Sequence, residues 1–174
     1  NIEALKIALP DSGYVFGTNS TNTESFAEGY SIPGQFARVY GTFLVTPAAI
    51  GDWTSSKVTI AVYSGNGKPE RLIHTQVFKP KYTNYNTESL SFDETDKPLN
   101  RDMETFVPFT SGVIAENEFY ISYTIENVAG DTIAVYNLKS GESTKNTAWI
   151  KRGGEWTEAS NVINFATSLF IDPV

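Results

Sequence analysis

Apolar and polar positions alternate with a period of two along most of the chain. No stretch long enough for a buried helix keeps apolar residues at helical spacing. Between Lys57 and Ser64, Val58, Ile60 and Val62 fall on one side while Lys57, Thr59, Ala61 and Tyr63 fall on the other, so the first side is core. Between Glu118 and Ile125 the pattern repeats. Phe119, Ile121, Tyr123 and Ile125 share one face, and Tyr120, Ser122 and Thr124 share a second face that is wet or covered by loops. Further strands are predicted at Gly13–Gly17, Glu24–Tyr30, Phe36–Thr46, Arg71–Phe78, Thr105–Phe109, Thr132–Asn137, Thr147–Lys151 and Phe165–Ile171, where β-branched and aromatic residues concentrate.

Glycine-containing reversals separate these segments: Ser64-Gly-Asn-Gly-Lys-Pro69, Val128-Ala-Gly-Asp131, Ser140-Gly-Glu142 and Arg152-Gly-Gly154. Glycine reaches the positive φ that tight hairpins require. Two segments depart from the alternation. Pro47–Gly51 reads as a single helical turn, and Lys79–Arg101 as a long polar loop with one strand at Ser89–Phe92. Short strands that each present one apolar side need a second layer to cover it. The predicted fold is therefore all-β, a two-sheet antiparallel β-sandwich of jelly-roll type. The length of 174 residues and the absence of an internal repeat, linker or low-complexity tract give one domain over residues 1–174, with 1–12 as a leading arm.

Composition narrows the chemistry. There is no cysteine, which removes disulfides, thiolate metal sites and cysteine nucleophiles. With 13 Lys+Arg against 20 Asp+Glu, the net charge of −7 repels phosphate backbones and anionic lipid surfaces, so nucleic-acid binding is not expected, and the apolar residues are too evenly punctuated for membrane insertion to be expected. His74 is the single histidine and lies inside a predicted strand. A serine triad requires a histidine beside the nucleophile, and zinc motifs built on HExxH require two. The phosphate-binding glycine loops are absent, because Gly65-Asn-Gly67 opens into Lys68-Pro69 and not into a helix. A glycosidase needs only two facing carboxylates. The acidic clusters at Asp93–Asp96 and Glu116–Glu118 lie in turn-like polar sequence that offers no apolar pocket for an acid. The expectation is a protein that is not an enzyme, with a carboxylate-based hydrolase as the catalytic alternative.

Binding chemistry is better represented. Sugars are recognised by aromatic rings against their apolar faces, with amides and charged groups on their hydroxyls. Trp53 in a loop, Tyr82 and Tyr85 in the long polar segment, and Trp156 at a hairpin tip form the candidate ligand-binding set. The competing reading has these rings folded back to plug the sandwich end, and Trp149 is expected in the core. Calcium takes several oxygen ligands. Asp11, Asn19, Asn22, Glu24, Asp52 and Asp131 are the candidates for a structural calcium, set against self-capped turn residues. No other cofactor is expected.

The stretch Ser56–Val77, a strand, a Gly-Lys-Pro turn and a strand, resembles a unit of secreted bacterial β-sandwich modules. Thr105–Glu126 is similar to the strand–turn–strand that follows it in them, and Thr144–Ser160 with Phe165–Asp172 to their last hairpin and final core strand. The resemblance is to accessory or adhesin-like modules of exported multidomain proteins of the Bacteroidetes group, and it covers roughly residues 10–172 on turns and core strands. It implies a secreted or cell-surface, non-catalytic binding module with other domains of a parent protein as neighbours, and an extracellular glycan or a host or matrix protein as partner. A carbohydrate-binding module attached to a secreted enzyme is the alternative. The start at Asn1, without methionine, agrees with a processed product or an excised domain.

Overall fold

The computed structural model describes residues 3–5, 14–17, 23–45, 48–50, 57–78, 83–86, 91–94, 104–126, 132–138, 147–159, 164–165 and 167–173. These residues form strands β1 (Glu3–Leu5), β2 (Tyr14–Gly17), β3 (Ser25–Val45), β4 (Ala48–Ile50), β5 (Lys57–Gly65), β6 (Pro69–Phe78) and β7 (Thr83–Asn86). They continue with β8 (Ser91–Glu94), β9 (Glu104–Glu126), β10 (Thr132–Leu138), β11 (Ala148–Arg152), β12 (Glu155–Glu158), β13 (Asn164–Phe165) and β14 (Thr167–Pro173).

The organising unit is the antiparallel ribbon of β3 and β9, paired from Phe26↔Tyr123 to Val45↔Glu104. Four strands were expected here, but each pair of expected strands is one long strand with bends. The register shifts between Ile32 and Phe36, where Pro33 and Gly34 sit, and again between Val39 and Gly41, opposite Phe109–Gly112. Gly34, Ser111, Gly112 and Asn117 all have positive φ and lie at or beside these two irregularities. Bulges of this kind bend a strand without ending its pairing, and they are where an internal proline is tolerated. One edge of β3 takes β11 along its first half and β14 along its second.

The resulting eight-stranded sheet runs β1-β14-β3-β9-β5-β6, with the β11–β12 hairpin on β3, and it curls into a half-barrel. A four-stranded sheet of β13, β10, β2 and β4 and the two-stranded β7–β8 sheet are separate from it. The described residues are therefore all-β and antiparallel, as expected, but the core belongs to one curled sheet. One correction and one addition follow from the pairing. The expected helical turn near Pro47 gives way to β4, paired with β10, and within the expected leading arm β1 pairs with β14.

The core face carries Phe26, Tyr30 and Val39 from β3, Val58, Ile60 and Val62 from β5, and Phe119, Ile121 and Tyr123 from β9. Cross-strand register places Phe26 on Tyr123 and Tyr30 on Phe119, with centroids 5.3 and 5.4 Å apart. Stacked aromatic pairs add about 0.5–1.5 kcal/mol beyond the burial of their area. The hydroxyls of Thr42 and Tyr123 hydrogen-bond at 2.7 Å, joining the two halves of the bent ribbon. His74 in β6 packs against Phe109 with centroids 5.4 Å apart, and its Nε2 is buried without a hydrogen-bond partner.

Candidate functional site

On the sheet face opposite the core, the strand alternation that buries Val62 and Ile121 turns Tyr63 and Tyr120 the other way. The register puts small residues on the same face. Ala27, Ala61 and Ser122 are buried, and a Cβ on Gly29 would lie 3.1 Å from Tyr120 Cε1. Of the two expectations for this face, wet or covered by loops, Tyr120 follows the second, being only 1% exposed. Trp149, expected in the core, alternates with core-facing Ala148 and Ile150 and packs edge-on against Tyr120 at 5.9 Å, with an 88° angle between rings.

Two glycine turns meet at one end of this face. In the β11–β12 hairpin, Gly153 and Gly154 both have positive φ, the signature of a two-residue type I′ reversal. In the β5–β6 turn, Gly67 has a φ of +78°, and a Cβ on Gly65 would stand 1.8 Å from the Lys68 carbonyl oxygen. Each turn is held by a glutamate from another strand or its flank. The Gly67 N–H donates to Glu118 Oε1 at 3.1 Å, and the same oxygen accepts from the Tyr120 hydroxyl. The Gly154 N–H donates to Glu24 Oε1 at 3.1 Å, while the Glu24 N–H donates to the Lys151 carbonyl at 2.8 Å. Burial, then the Glu118 carboxylate and the charge of Glu70, push the Tyr120 phenol well above its usual range; burial alone raises Tyr63.

Between the turns lies an open groove of about 450 Å³, within the roughly 300–1,000 Å³ typical of small-ligand sites. Trp156 and Tyr63 form its apolar corner, with centroids 5.9 Å apart and planes at 73°. Lys151, directly across the hairpin from Trp156, places Nζ 5.9 Å from the indole centroid. Lys68, Pro69, Glu70, Gly154 and Glu155 complete the lining. Both carboxylates are exposed and share the groove with lysines. The arrangement offers apolar surface, ammonium donors and carboxylate acceptors, which is binding chemistry.

Of the expected ligand-binding set, Trp156 lines this groove, in β12 beyond the hairpin tip. Tyr85 lies in β7 opposite Phe92. Trp53 and Tyr82 fall outside the described residues, as do Asp11, Asn19, Asn22, Asp52 and Asp131. Glu24, a calcium candidate, has its carboxylate on the Gly154 amide. Among the described residues, no three histidine, aspartate or glutamate side chains converge as a metal site would require. Sequence reasoning missed Tyr63, Lys68, Glu70, Lys151 and Glu155. Each lies in or beside one of the two glycine turns read from the sequence, and only the nearness of the turns makes them a group.

No family model matches the chain, and neither does any curated protein. Among solved structures, it is similar to the cysteine protease and lectin-like domains of Cwp84, a surface layer associated protein of Clostridium difficile. That match has a TM-score of 0.53 and 14% identity over 94% of this chain and 36% of the other. A clostridial Cwp84 structure after propeptide cleavage matches with a TM-score of 0.59 and 13% identity, over 98% of this chain and 40% of that one. The chain thus spans less than half the length of these neighbours. The match falls on the lectin-like domain and not on the protease. At this identity the likeness is one of fold. The neighbours are clostridial, so the Bacteroidetes part of the sequence resemblance finds no counterpart among them.

Proposed function

We propose that the protein is a non-catalytic binding module of a cell-surface or secreted protein, and that its extracellular ligand seats in the groove between the two glycine turns. The observation that carries this reading is the corner of Trp156 and Tyr63 on a wall of paired strands, bordered by charged side chains. Rigid strands hold such residues more accurately than loops do. The fold likeness to the lectin-like domain of a surface-layer-associated protein supports both the binding role and the surface location. In that neighbour the domain accompanies a protease, which favours, as a second reading, a carbohydrate-binding module attached to an enzyme. The four-stranded sheet of β2, β4, β10 and β13 is the natural second layer over the core face, and its closure would complete a jelly-roll sandwich.

Binding to an array of glycans and matrix proteins, run with and without chelator, tests the proposal. Trp156→Ala should weaken binding by at least about tenfold, as truncating a central aromatic contact does. Its circular dichroism should match the parent. Unchanged binding in that variant moves the site elsewhere, with Trp53, Tyr82 and Tyr85 next in line. Loss of binding in chelator would implicate the calcium candidates Asp11, Asn19, Asn22, Asp52 and Asp131.

A further inference from the structure

We infer that the groove takes a short, soluble, uncharged saccharide and not the flat surface of an insoluble polysaccharide or an acidic glycan. This rests on the reading that the Trp156 groove is the binding site. The first observation is the angle between the rings. Planar polysaccharide surfaces need aromatic side chains lying in one plane, but Trp156 and Tyr63 stand at 73° to one another. Rings so disposed cannot both lie on one flat ribbon. They form a corner that receives the apolar face and edge of a small sugar.

The second observation is the charge balance. Lys68 and Lys151 face the same groove as Glu70 and Glu155, so the lining is neutral in a molecule of net charge −7. Among the described residues, no salt bridge joins these lysines to these glutamates, whereas Lys57 and Glu126 elsewhere on the sheet pair at 3.3 Å. Two ammonium donors and two carboxylate acceptors are therefore available to a ligand. A hydroxyl group both donates and accepts, so a polyhydroxylated neutral ring uses all four. A uronate or sulfated sugar would gain from the lysines but meet two carboxylates and the negative field of the whole molecule.

The test is calorimetric titration of the full chain with neutral oligosaccharides, uronic-acid oligosaccharides and matrix proteins, together with pull-down on insoluble cellulose and chitin. Parallel amide-shift mapping locates the ligand without any variant. The expected result is binding of a neutral oligosaccharide that shifts the Lys68, Gly154 and Glu155 amides and changes little with added salt, since no ion pair forms. Trp156→Ala and Tyr63→Ala should each weaken it by about tenfold or more. Glu70→Gln should weaken it less, and no retention on the insoluble polymers is expected. Groove shifts caused by uronic-acid sugars alone, by a matrix protein alone, or by insoluble-polymer fragments with retention on the polymer overturn this inference and leave the groove reading standing. No binding by any probe, or binding that leaves the groove amides and both aromatic variants unaffected, overturns the two together.

Discussion

Glu118 and Glu24 act alike from opposite sides of the groove: each places one carboxylate oxygen on the amide of a positive-φ glycine. Glu118 also receives the Tyr120 hydroxyl, so its removal leaves a buried phenol and a turn amide without their shared acceptor. Glu118→Ala should lower stability by about 1–3 kcal/mol in urea denaturation, and Tyr120→Phe by less, because Phe takes away the donor along with its need for a partner. The ionisation of Tyr120 follows from the same contact. Its folded-state pKa lies above the unfolded value of 10.0, so the unfolded chain ionises first. The stability it contributes is complete below pH 10.0 and declines as pH rises beyond that, with Tyr63 acting in the same direction. Urea midpoints followed into the alkaline range should fall less steeply in Tyr120→Phe than in the parent. The contributing residue types were visible in the chain, but the Glu118–Gly67 contact joins positions 51 residues apart, and no local pattern announces it.

At the scale of elements, glycine and proline at internal strand positions mark bends as well as ends. Reading Tyr30 to Phe36 and Phe109 to Glu118 as breaks located the interruptions correctly but mistook bulged continuity for termination. The backbone there keeps pairing because Gly34, Ser111, Gly112 and Asn117 adopt left-handed conformations that absorb the surplus residues, and Asn117 Oδ1 accepts from the Gly34 amide at 3.0 Å. The glycine turns were legible for a simpler reason. Positive φ is a local demand that glycine meets at little steric cost. Gly65 has a further constraint, since any Cβ would occupy the space of the Lys68 carbonyl. Gly65→Ala should destabilise the protein by about 3 kcal/mol or more and broaden the amide signals of Asn66 to Lys68, as measured by denaturation and NMR. If the variant is as stable as the parent with an unchanged turn, that packing account is wrong.

At the scale of the whole molecule, the core and the groove occupy opposite faces of one sheet, so they should respond independently. Ile121 is fully buried in the core, and truncating such a side chain costs about 2–5 kcal/mol. Ile121→Ala should therefore lower the thermal midpoint while leaving groove affinity in the folded fraction unchanged, and Trp156→Ala should do the reverse. A ligand titration of both variants below their unfolding transitions decides the matter. Additivity of the double variant would show that the sheet transmits little between its faces.

From the sequence alone came the strand class, the side of β5 and β9 that faces the core, the glycine turns at 64–69 and 152–154, and the lack of cysteine. Each depends on residue type or on a period of two, properties set within a few neighbours. Tertiary structure decided that the sheet curls and that β3 and β9 each run unbroken through their bulges. It also turned Trp149 away from the core and brought Trp156 within reach of Tyr63. Those outcomes depend on which strands become neighbours. Strand partnership is a choice among distant segments with similar alternation, and it is settled by the packing of the whole chain.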